Sequence, residues 1–475
     1  MFIDGEWRDA TSGATVEATS PATAESLGPV AEGDRADARL AIAAANAAFP
    51  SWGARTGFER AEFLHRAADA MESRADELAR MLSLDQGKPL KAEAEVEVGE
   101  LVEFFRMAAE DGKRVEGSIP QSAAPGRRVL LVRRPLGVLG LITPWNWPYT
   151  MPAEVLAPAL ACGNTVVWTP APSTAVCSGL LAECIAEADF PPGVFNFVLG
   201  PGPEVGDELA VNPGTHAVAF TGSTETGLIV SRQAAGKAQL LEMGGNGPLV
   251  VLQDADLAAA AEAARVGSFL GAGQSCSAAE RILVHDAVRD EFVSLLAADV
   301  EREVRLGDPF DDATTMGPVN NEPGAAKMDA HVADAVERGA TVVAGGSRAG
   351  GFPTELYWEP TILNDVPRDS IAVTQETFGP IAPIVGIGSL EEAIQQTNSQ
   401  TYGLMAAIFT SDLAAGLRYA DAVPMGLVNI NETTNYWEPH LPWGGRARSQ
   451  SGIGRVGGRY PMDTLTELQT VLIQT

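Results

Sequence analysis

Short apolar runs alternate with helical patterns along most of this 475-residue chain. A first series has apolar runs at 138–142, 165–168, 194–199 and 217–220, separated by helical patterns near 153–161, 174–188 and 203–211. Such an alternation predicts a parallel β-sheet with helices on its faces. A second series has apolar runs at 248–252, 281–284, 341–343, 404–409 and 427–430. The pattern therefore predicts two α/β domains whose boundary lies near Gly244 and Gly245.

Helical patterns also precede the first series. An Ala-rich helix is predicted from residue 34 to about 49, with Asp34 as its N-cap. Two longer amphipathic stretches, about 58–85 and 91–110, are separated by the turn sequence Gln-Gly-Lys-Pro at 86–89. Residues 115–135 have β-like pieces and many charges, and they do not belong obviously to either neighbour.

Length and charge limit the classes of protein that this chain can represent. A chain of 475 residues is too long for one hydrophobic core, and 45% apolar with 20% charged residues is ordinary globular composition. The 33 basic and 62 acidic residues give a net charge of −29. A surface this acidic argues against a nucleic-acid partner and against binding to an anionic membrane.

Four cysteines without a C-x-x-C pair predict neither a zinc site nor a disulfide framework, so no metal is expected. The first residues lack a basic-then-apolar signal sequence, and no run approaches the roughly 20 apolar residues of a membrane span. We therefore expect a cytoplasmic protein without a membrane partner, in which a reactive thiol stays reduced.

One loop differs from the usual surroundings of a structural cysteine. Residues 271–279 read G-A-G-Q-S-C-S-A-A, so Cys276 lies among glycines, serines and other small residues. These residues allow a backbone to bend sharply and to approach a ligand closely. Cys162, Cys177 and Cys184 instead lie in apolar or helical runs that are typical of buried thiols. Cys276 is therefore the cysteine whose surroundings favour reactivity.

The cysteine loop is one of seven motifs that follow one another along the chain. The others are G-V-L-G-L-I-T-P-W-N-W-P at 137–148, A-C-G-N-T-V-V at 161–167, F-T-G-S-T-E-T-G at 220–227, L-E-M-G-G at 241–245, Q-E-T-F-G-P at 375–380 and P-W-G-G at 442–445. In order and nearly in spacing, the set resembles the NAD(P)-dependent aldehyde dehydrogenase superfamily. The resemblance covers essentially the whole chain.

This resemblance implies an aldehyde dehydrogenase-like α/β fold, with two Rossmann-like three-layer α/β domains and a small β oligomerisation arm. The coenzyme-binding domain would comprise residues 1–114 and 136–243, and the catalytic domain residues 244–442. The arm would comprise residues 115–135 and 456–475. A homodimer or homotetramer is expected, although Val456 replaces a Glu that commonly supports the subunit interface.

The resemblance also implies a reaction, the oxidation of a small-molecule aldehyde to its acid. Cys276 would attack the aldehyde carbon to form a thiohemiacetal, because a thiol is intrinsically very nucleophilic. Asn146 and the backbone N–H of Cys276 would bind the developing oxyanion. After hydride transfer, Glu242 would act as the base for water that hydrolyses the thioester. Its presence favours water over coenzyme A as the acyl acceptor.

Several positions are implied to bind the coenzyme, which would be NAD or NADP, with NAD preferred. They are Thr143, Pro144, Trp145, Thr169, Gly202, Phe220, Gly222, Ser223, Gly244, Glu376 and Phe378. The turn at 220–227 would bring a helix N-terminus to the pyrophosphate. The usual Lys-Pro-x-Glu that grips the adenosine ribose is here Thr-Pro-Ala-Pro at 169–172, so we expect weaker ribose recognition.

The substrate pocket is expected to hold a bulky or apolar aldehyde, because most of its implied residues are aromatic. These residues are Trp147, Tyr149, Ser275, Ser277, Tyr436, Trp437 and Trp443. His440, Arg446 and Arg448 could anchor a carboxylate, which leaves an acidic aldehyde open. Two other functions also remain open: a cysteine acyl transferase or hydrolase without redox chemistry, and a non-catalytic member of the fold.

Overall fold

Two β-sheets, each covered by helices, account for most of the computed structural model, which describes residues 1–474. The strands are β1 (Phe2–Ile3), β2 (Glu6–Trp7), β3 (Thr15–Thr19), β4 (Ser26–Ala31), β5 (Arg127–Pro135), β6 (Val138–Thr143), β7 (Thr165–Pro170), β8 (Phe195–Phe197), β9 (Ala217–Thr221), β10 (Ala238–Glu242), β11 (Gly247–Val251), β12 (Ala279–His285), β13 (Thr341–Ala344), β14 (Thr361–Asn364), β15 (Ile381–Ile387), β16 (Met405–Phe409), β17 (Leu427–Ile430), β18 (Gly452–Ile453) and β19 (Thr466–Gln474). The α-helices are α1 (Arg35–Gly53), α2 (Gly57–Ser73), α3 (Ala75–Gln86), α4 (Glu95–Asp111), α5 (Thr150–Cys162), α6 (Ala175–Ala186), α7 (Asp207–Val211), α8 (Thr224–Gln233), α9 (Leu257–Phe269), α10 (Arg289–Glu303), α11 (Glu322–Glu337), α12 (Ile371–Thr374), α13 (Leu390–Asn398), α14 (Leu413–Ala422) and α15 (Pro461–Thr464).

The first sheet has the strand order β18-β10-β9-β6-β7-β8-β1-β2. Its five central strands, β10 to β8, are parallel, and the short strands at both edges are antiparallel. The carboxyl ends of β6, β9 and β10 consequently lie at the same edge of the sheet. In α/β sheets, ligands bind outside such an edge.

The second sheet has the order β13-β14-β15-β12-β11-β16-β17, and all its pairs are parallel except β13 with β14. β10 ends in the first sheet at Glu242, and β11 begins in the second sheet at Gly247. Each sheet has its own buried apolar core. The chain therefore has the two Rossmann-like α/β units that the alternating pattern predicts.

Several helical elements differ from the sequence prediction. Asp34 does cap α1, since its carboxylate accepts hydrogen bonds from the backbone N–H groups of Ala36 and Asp37, but the helix continues to Gly53. The predicted stretch 58–85 is two helices, α2 and α3, which meet at Arg74. A π-helical turn, Leu90–Ala94, precedes α4, and another, Gly202–Gly206, replaces the first part of the predicted helix at 203–211.

A two-stranded antiparallel ribbon stands apart from both sheets. β5 pairs along its whole length with β19, from Thr466 opposite Pro135 to Gln474 opposite Arg127. Leu468 and Leu472 of this ribbon are exposed. Among residues 1–474, no helix has the length and apolar character needed to cross a bilayer.

Candidate active site

The loop that carries Cys276 is bent by an unusual backbone. Gly271, Ala272 and Gly273 all have positive φ angles, of 62°, 54° and 70°. An L-residue such as Ala272 adopts this region only at an energetic cost, so the surroundings must hold the loop in place. One such contact is the hydrogen bond of 3.0 Å from the backbone N–H of Gly271 to Oε1 of Glu93.

Cys276 lies between two cavities and lines both of them. We call the first, of about 170 Å³, the aromatic cavity, because Trp147, Tyr436, Trp437 and Trp443 line it. We call the second, of about 380 Å³, the glycine-rich cavity. The residues that line it are Pro144, Trp145, Asn146, Met151, Thr221, Gly222, Ser223, Glu242, Met243, Gly244, Gln274, Cys276, Asn321, Pro323, Gly324, Lys327, Glu376 and Phe378. A group bound in either cavity can therefore reach the thiol.

The predicted catalytic residues Cys276, Glu242 and Asn146 all border the glycine-rich cavity. Asn146 is buried, and its Nδ2 donates a hydrogen bond of 3.0 Å to the carbonyl oxygen of Gln274. An amide NH₂ has two hydrogens, so a second donor remains available. Glu242 is 3% exposed, and neither of its carboxyl oxygens has a hydrogen-bond partner among residues 1–474.

Close packing of glycines explains two of the motifs. A β-carbon on Gly245 would overlap the backbone carbonyl of Cys276, and one on Gly444 would lie 2.6 Å from Oε1 of Glu242. Gly444 also has a positive φ of 142°. The L-E-M-G-G and P-W-G-G sequences therefore let three chain segments meet around the thiol and the carboxyl group.

Burial and neighbouring carboxyl groups favour the protonated forms of Glu242 and Cys276. Burial raises the pKa of Glu242 well above its usual value, and the nearby carboxyl group of Glu154 raises it further. Burial likewise raises the pKa of the Cys276 thiol, with added contributions from Glu242 and Glu376. The charged form of each group becomes unfavourable when water is excluded and like charges are close.

The glycine-rich cavity has the features that a nicotinamide coenzyme requires. Glu376 is held by a hydrogen bond of 2.8 Å from the backbone N–H of Gly245, and Phe378 packs edge-to-face on Trp145 with ring centroids 5.6 Å apart. Ser223 caps the N-terminus of α8 by accepting from the backbone N–H of Thr226 at 3.3 Å. A helix N-terminus beside a glycine turn suits a phosphate group, so these residues fit the coenzyme.

Seven of the predicted coenzyme residues line this cavity: Pro144, Trp145, Gly222, Ser223, Gly244, Glu376 and Phe378. Four others, Thr143, Thr169, Gly202 and Phe220, do not line it. Thr143 and Thr169 are buried near the ends of β6 and β7, and Oγ1 of Thr143 accepts a hydrogen bond of 2.8 Å from Nε1 of Trp168.

Six of the seven predicted substrate residues line the aromatic cavity: Trp147, Ser275, Ser277, Tyr436, Trp437 and Trp443. Tyr149 does not. It is fully buried, and its hydroxyl donates a hydrogen bond of 3.0 Å to the carbonyl oxygen of Leu78. It lies at the start of α5, two residues from Trp147, where the chain turns one aromatic ring into the cavity and the other into the helical core.

His440, Arg446 and Arg448, considered as anchors for a substrate carboxylate, are exposed and do not line the aromatic cavity. The sequence reasoning also missed the residues that the N-terminal helices contribute. Glu93 and Glu100 line the aromatic cavity, and a buried ion pair between Lys88 and Glu97 lies behind it. Residues 93, 97 and 100 are spaced by four and three, which places them on one face of a helix and could have indicated an acidic face.

Comparison with known proteins supports the predicted family. The aldehyde dehydrogenase family matches residues 7–471. The NADP(+) succinate-semialdehyde dehydrogenase of Escherichia coli is 40% identical over 99% of this chain and 97% of its own. The betaine aldehyde dehydrogenase of Bacillus subtilis is 37% identical over 100% of this chain and 97% of its own.

Among solved structures, the succinate-semialdehyde dehydrogenase of Burkholderia pseudomallei superimposes with a TM-score of 0.97 at 38% identity, covering 100% of this chain and 97% of its own. These similarities confirm the family, the fold class and the aldehyde oxidation that the seven motifs predict. The chain belongs to the aldehyde dehydrogenase family.

Proposed function

We propose that Cys276 is the nucleophile of this aldehyde dehydrogenase, with Asn146 as the oxyanion donor and Glu242 as the base. The observation that carries the proposal is the position of the thiol, which borders a cavity suited to an aldehyde and a second cavity suited to a coenzyme. Asn146 and Glu242 border the second cavity beside it.

In the first step, the sulfur of Cys276 bonds to the aldehyde carbon, and the thiol proton passes to water. The π bond of the carbonyl group breaks, so negative charge develops on the former carbonyl oxygen. The free N–H of the Asn146 amide and the backbone N–H of Cys276 supply donors for that charge. Because Asn146 is already held by Gln274, it need not reorganise during the reaction. Glu376 and Phe378 are among the residues that would hold a nicotinamide coenzyme, which in its oxidised form would supply the acceptor for the hydride of that carbon.

In the second step, water replaces Cys276 at the acyl carbon, and the acid is released. Glu242 accepts the proton of that water. The burial of Glu242 and the absence of any hydrogen-bond partner for its oxygens in the described residues make it a stronger base, once ionised, than a solvated carboxylate. Gly444 leaves no room for a side chain beside Oε1.

The coenzyme preference is inferred to be NAD over NADP. The segment at the end of β7, residues 169–172, reads Thr-Pro-Ala-Pro and contains no basic side chain to pair with a 2′-phosphate. The Escherichia coli relative is named as an NADP(+) enzyme. A comparison of kcat/KM for the two coenzymes therefore tests this inference directly, and a preference for NADP would contradict it.

The subunit arrangement is inferred from the β5–β19 ribbon. Its exposed leucines, Leu468 and Leu472, suit contact with a second copy of the chain, as a homodimer or a homotetramer.

The four cysteines are all free thiols. A nucleophilic thiol must stay reduced, so a cytoplasmic location fits the proposed chemistry.

The test of the mechanism is the absorbance of reduced nicotinamide with a panel of aldehydes. The wild type should produce it, and Cys276→Ala should not. Cys184→Ser is the matched control, because Cys184 is a thiol in α6 that lines neither cavity. Hydrolysis of acyl esters without reduced nicotinamide would favour the hydrolase or transferase alternative. Inactivity of the wild type in both assays would favour the non-catalytic alternative.

A further inference from the structure

The wall of the aromatic cavity that faces α4 is acidic. The cavity is lined there by Glu93, from the π-helical turn before α4, and by Glu100, from α4 itself. Among the described residues, no lysine, arginine or histidine lines this cavity. The remaining lining is apolar, aromatic or uncharged.

Neither carboxyl group is fully satisfied by the protein. Glu93 is 2% exposed; its Oε1 accepts from the backbone N–H of Gly271, and its Oε2 has no hydrogen-bond partner in the part of the chain that the structure describes. Glu100 accepts one hydrogen bond of 3.0 Å, from the hydroxyl of Thr150. Burial raises the pKa of each to about 7. A positive charge in the cavity would stabilise the ionised form of both groups.

Lys88, a cation behind this wall, does not neutralise it. The charge of the Lys88 ammonium group lowers the pKa of both Glu93 and Glu100, but this group is paired directly with the carboxylate of Glu97. Three carboxyl groups therefore face a single ammonium group. When Glu93 and Glu100 are ionised, the cluster carries an excess of negative charge, and solvent screens that charge poorly because the cluster is buried.

Aromatic rings also line the cavity. The rings of Trp437 and Trp443 are tilted by 43° with centroids 5.7 Å apart, and Tyr436, which precedes Trp437, lines the same cavity. Trp147 already has the ammonium of Lys88 over its ring, 3.9 Å from the centroid. Aromatic faces attract cations, most strongly where water is excluded.

We propose that the aromatic cavity takes an aldehyde that carries a positive charge, as an ammonium or quaternary ammonium group, at the end remote from its carbonyl. Glu93 and Glu100 face the charge, and the carbonyl carbon lies at Cys276. This inference rests on the proposed function, and it specifies the substrate class of the same site. It replaces the acidic aldehyde considered from the sequence, whose basic anchors lie outside the cavity.

The test compares three aldehydes with the whole enzyme and saturating coenzyme. The cation is 4-trimethylammoniobutanal, and its uncharged isostere is 5,5-dimethylhexanal, which differs only in having carbon in place of nitrogen. The anion is succinate semialdehyde. We expect kcat/KM for the cation to exceed that for the isostere by about tenfold or more, as a difference of about 1.4 kcal/mol would give. The anion should be the poorest substrate.

Variants that remove one carboxylate charge identify the residues that cause the preference for the cationic aldehyde. Glu100→Gln and Glu93→Gln should each lower the ratio of cation to isostere at least threefold, while Gln at 93 keeps an oxygen for Gly271. Glu95→Gln is the matched control: this glutamate is on the same helix but exposed, is paired with Lys91 and does not line the cavity, so its ratio should equal that of the wild type. Thermal unfolding checks that each variant is folded.

A second measurement does not depend on turnover. Binding of the cationic aldehyde to Cys276→Ala should change the fluorescence of the cavity tryptophans, and the added Glu100→Gln change should weaken that binding. Equal or better use of the isostere or the anion would overturn the charge inference and leave the proposed function intact. A ratio that Glu93→Gln and Glu100→Gln leave unchanged would also overturn it. If no aldehyde were oxidised with either coenzyme, the proposed function itself would fail.

Discussion

The buried ion pair between Lys88 and Glu97 holds the turn that carries Asn146. The two side chains are 1% and 0% exposed. Lys88 Nζ donates a hydrogen bond of 3.1 Å to the carbonyl oxygen of Asn146, and Oε1 of Glu97 accepts from the backbone N–H groups of Tyr149 and Thr150 at 2.9 and 3.2 Å. The pair therefore connects the N-terminal helices to the oxyanion turn.

Replacing Lys88 with Met tests this connection. The change leaves the carboxylate of Glu97 buried without its partner, which typically costs about 3–5 kcal/mol. In the double variant Lys88→Met with Glu97→Gln, the glutamine oxygen still accepts from the turn and no charge is buried alone. We expect this double variant to recover most of the lost stability. Turnover of Lys88→Met should fall about ten- to a hundredfold, because a small displacement of Asn146 weakens the oxyanion contact.

The assay is urea unfolding followed by fluorescence, with kcat measured on the same preparations. Lys91→Met is the matched control, since Lys91 forms an exposed i,i+4 pair with Glu95 and such pairs contribute about 0.3–0.5 kcal/mol. The reasoning is refuted if Lys88→Met is no more destabilising than Lys91→Met, or if the double variant is less stable than the single one.

Three further predictions follow from the site. Glu242→Gln should still release about one equivalent of reduced nicotinamide per site in a rapid burst, while steady-state turnover falls about 10²–10⁴-fold; an unchanged steady state would exclude Glu242 as the base. Asn146→Ala should lower kcat about 10²–10³-fold with a smaller change in coenzyme affinity, as measured by titration. Because the pKa values of Glu93 and Glu100 are raised to about 7, their contribution to stability is complete below about pH 4.5 and is lost as the pH rises through 7. The unfolding free energy of the wild type should therefore fall between pH 5 and 8. In Glu93→Gln and in Glu100→Gln this fall should be smaller, by up to about 2–3 kcal/mol each. A pH dependence identical to that of the wild type would contradict the raised pKa values.

The two sheets could be predicted from the sequence because each buried strand is a short apolar run bounded by turn residues. The break between α2 and α3 could not be predicted from the sequence. It falls at Arg74, in a stretch without glycine or proline, and the guanidinium group there pairs with Glu77, Glu183 and Glu187. Two of these partners belong to or follow α6, so the break is stabilised by tertiary contacts that no local pattern records.

The site likewise contains residues that the sequence predicts and residues that it does not. Cys276, Asn146 and Glu242, which the motifs single out, border one cavity. Asn146 follows β6 and Glu242 ends β10, at the carboxyl edge of the first sheet where ligands bind, whereas Cys276 comes to that edge from the loop before β12. Tyr149 was placed wrongly, since its distance along the chain from Trp147 says nothing about which ring faces the cavity. Glu93 was missed because it belongs to an N-terminal element, the turn before α4. Only the packing of α4 against α5 and the hydrogen bond from Gly271 of the cysteine loop bring its carboxyl group to the site.

Similarity at 37–40% identity identifies the reaction of this chain, but it does not identify the charge of the substrate. The relatives at this level include enzymes named for succinate semialdehyde, which is an anion, and for betaine aldehyde, which is a cation. The reacting groups lie in motifs around Cys276, whereas Glu93 and Glu100 lie outside all seven motifs. Substrate charge can therefore change through a few side chains on α4 and on the turn before it, while the reacting groups stay in place. It follows that the cavity wall, and not the name of a relative, is the physical basis for assigning the substrate.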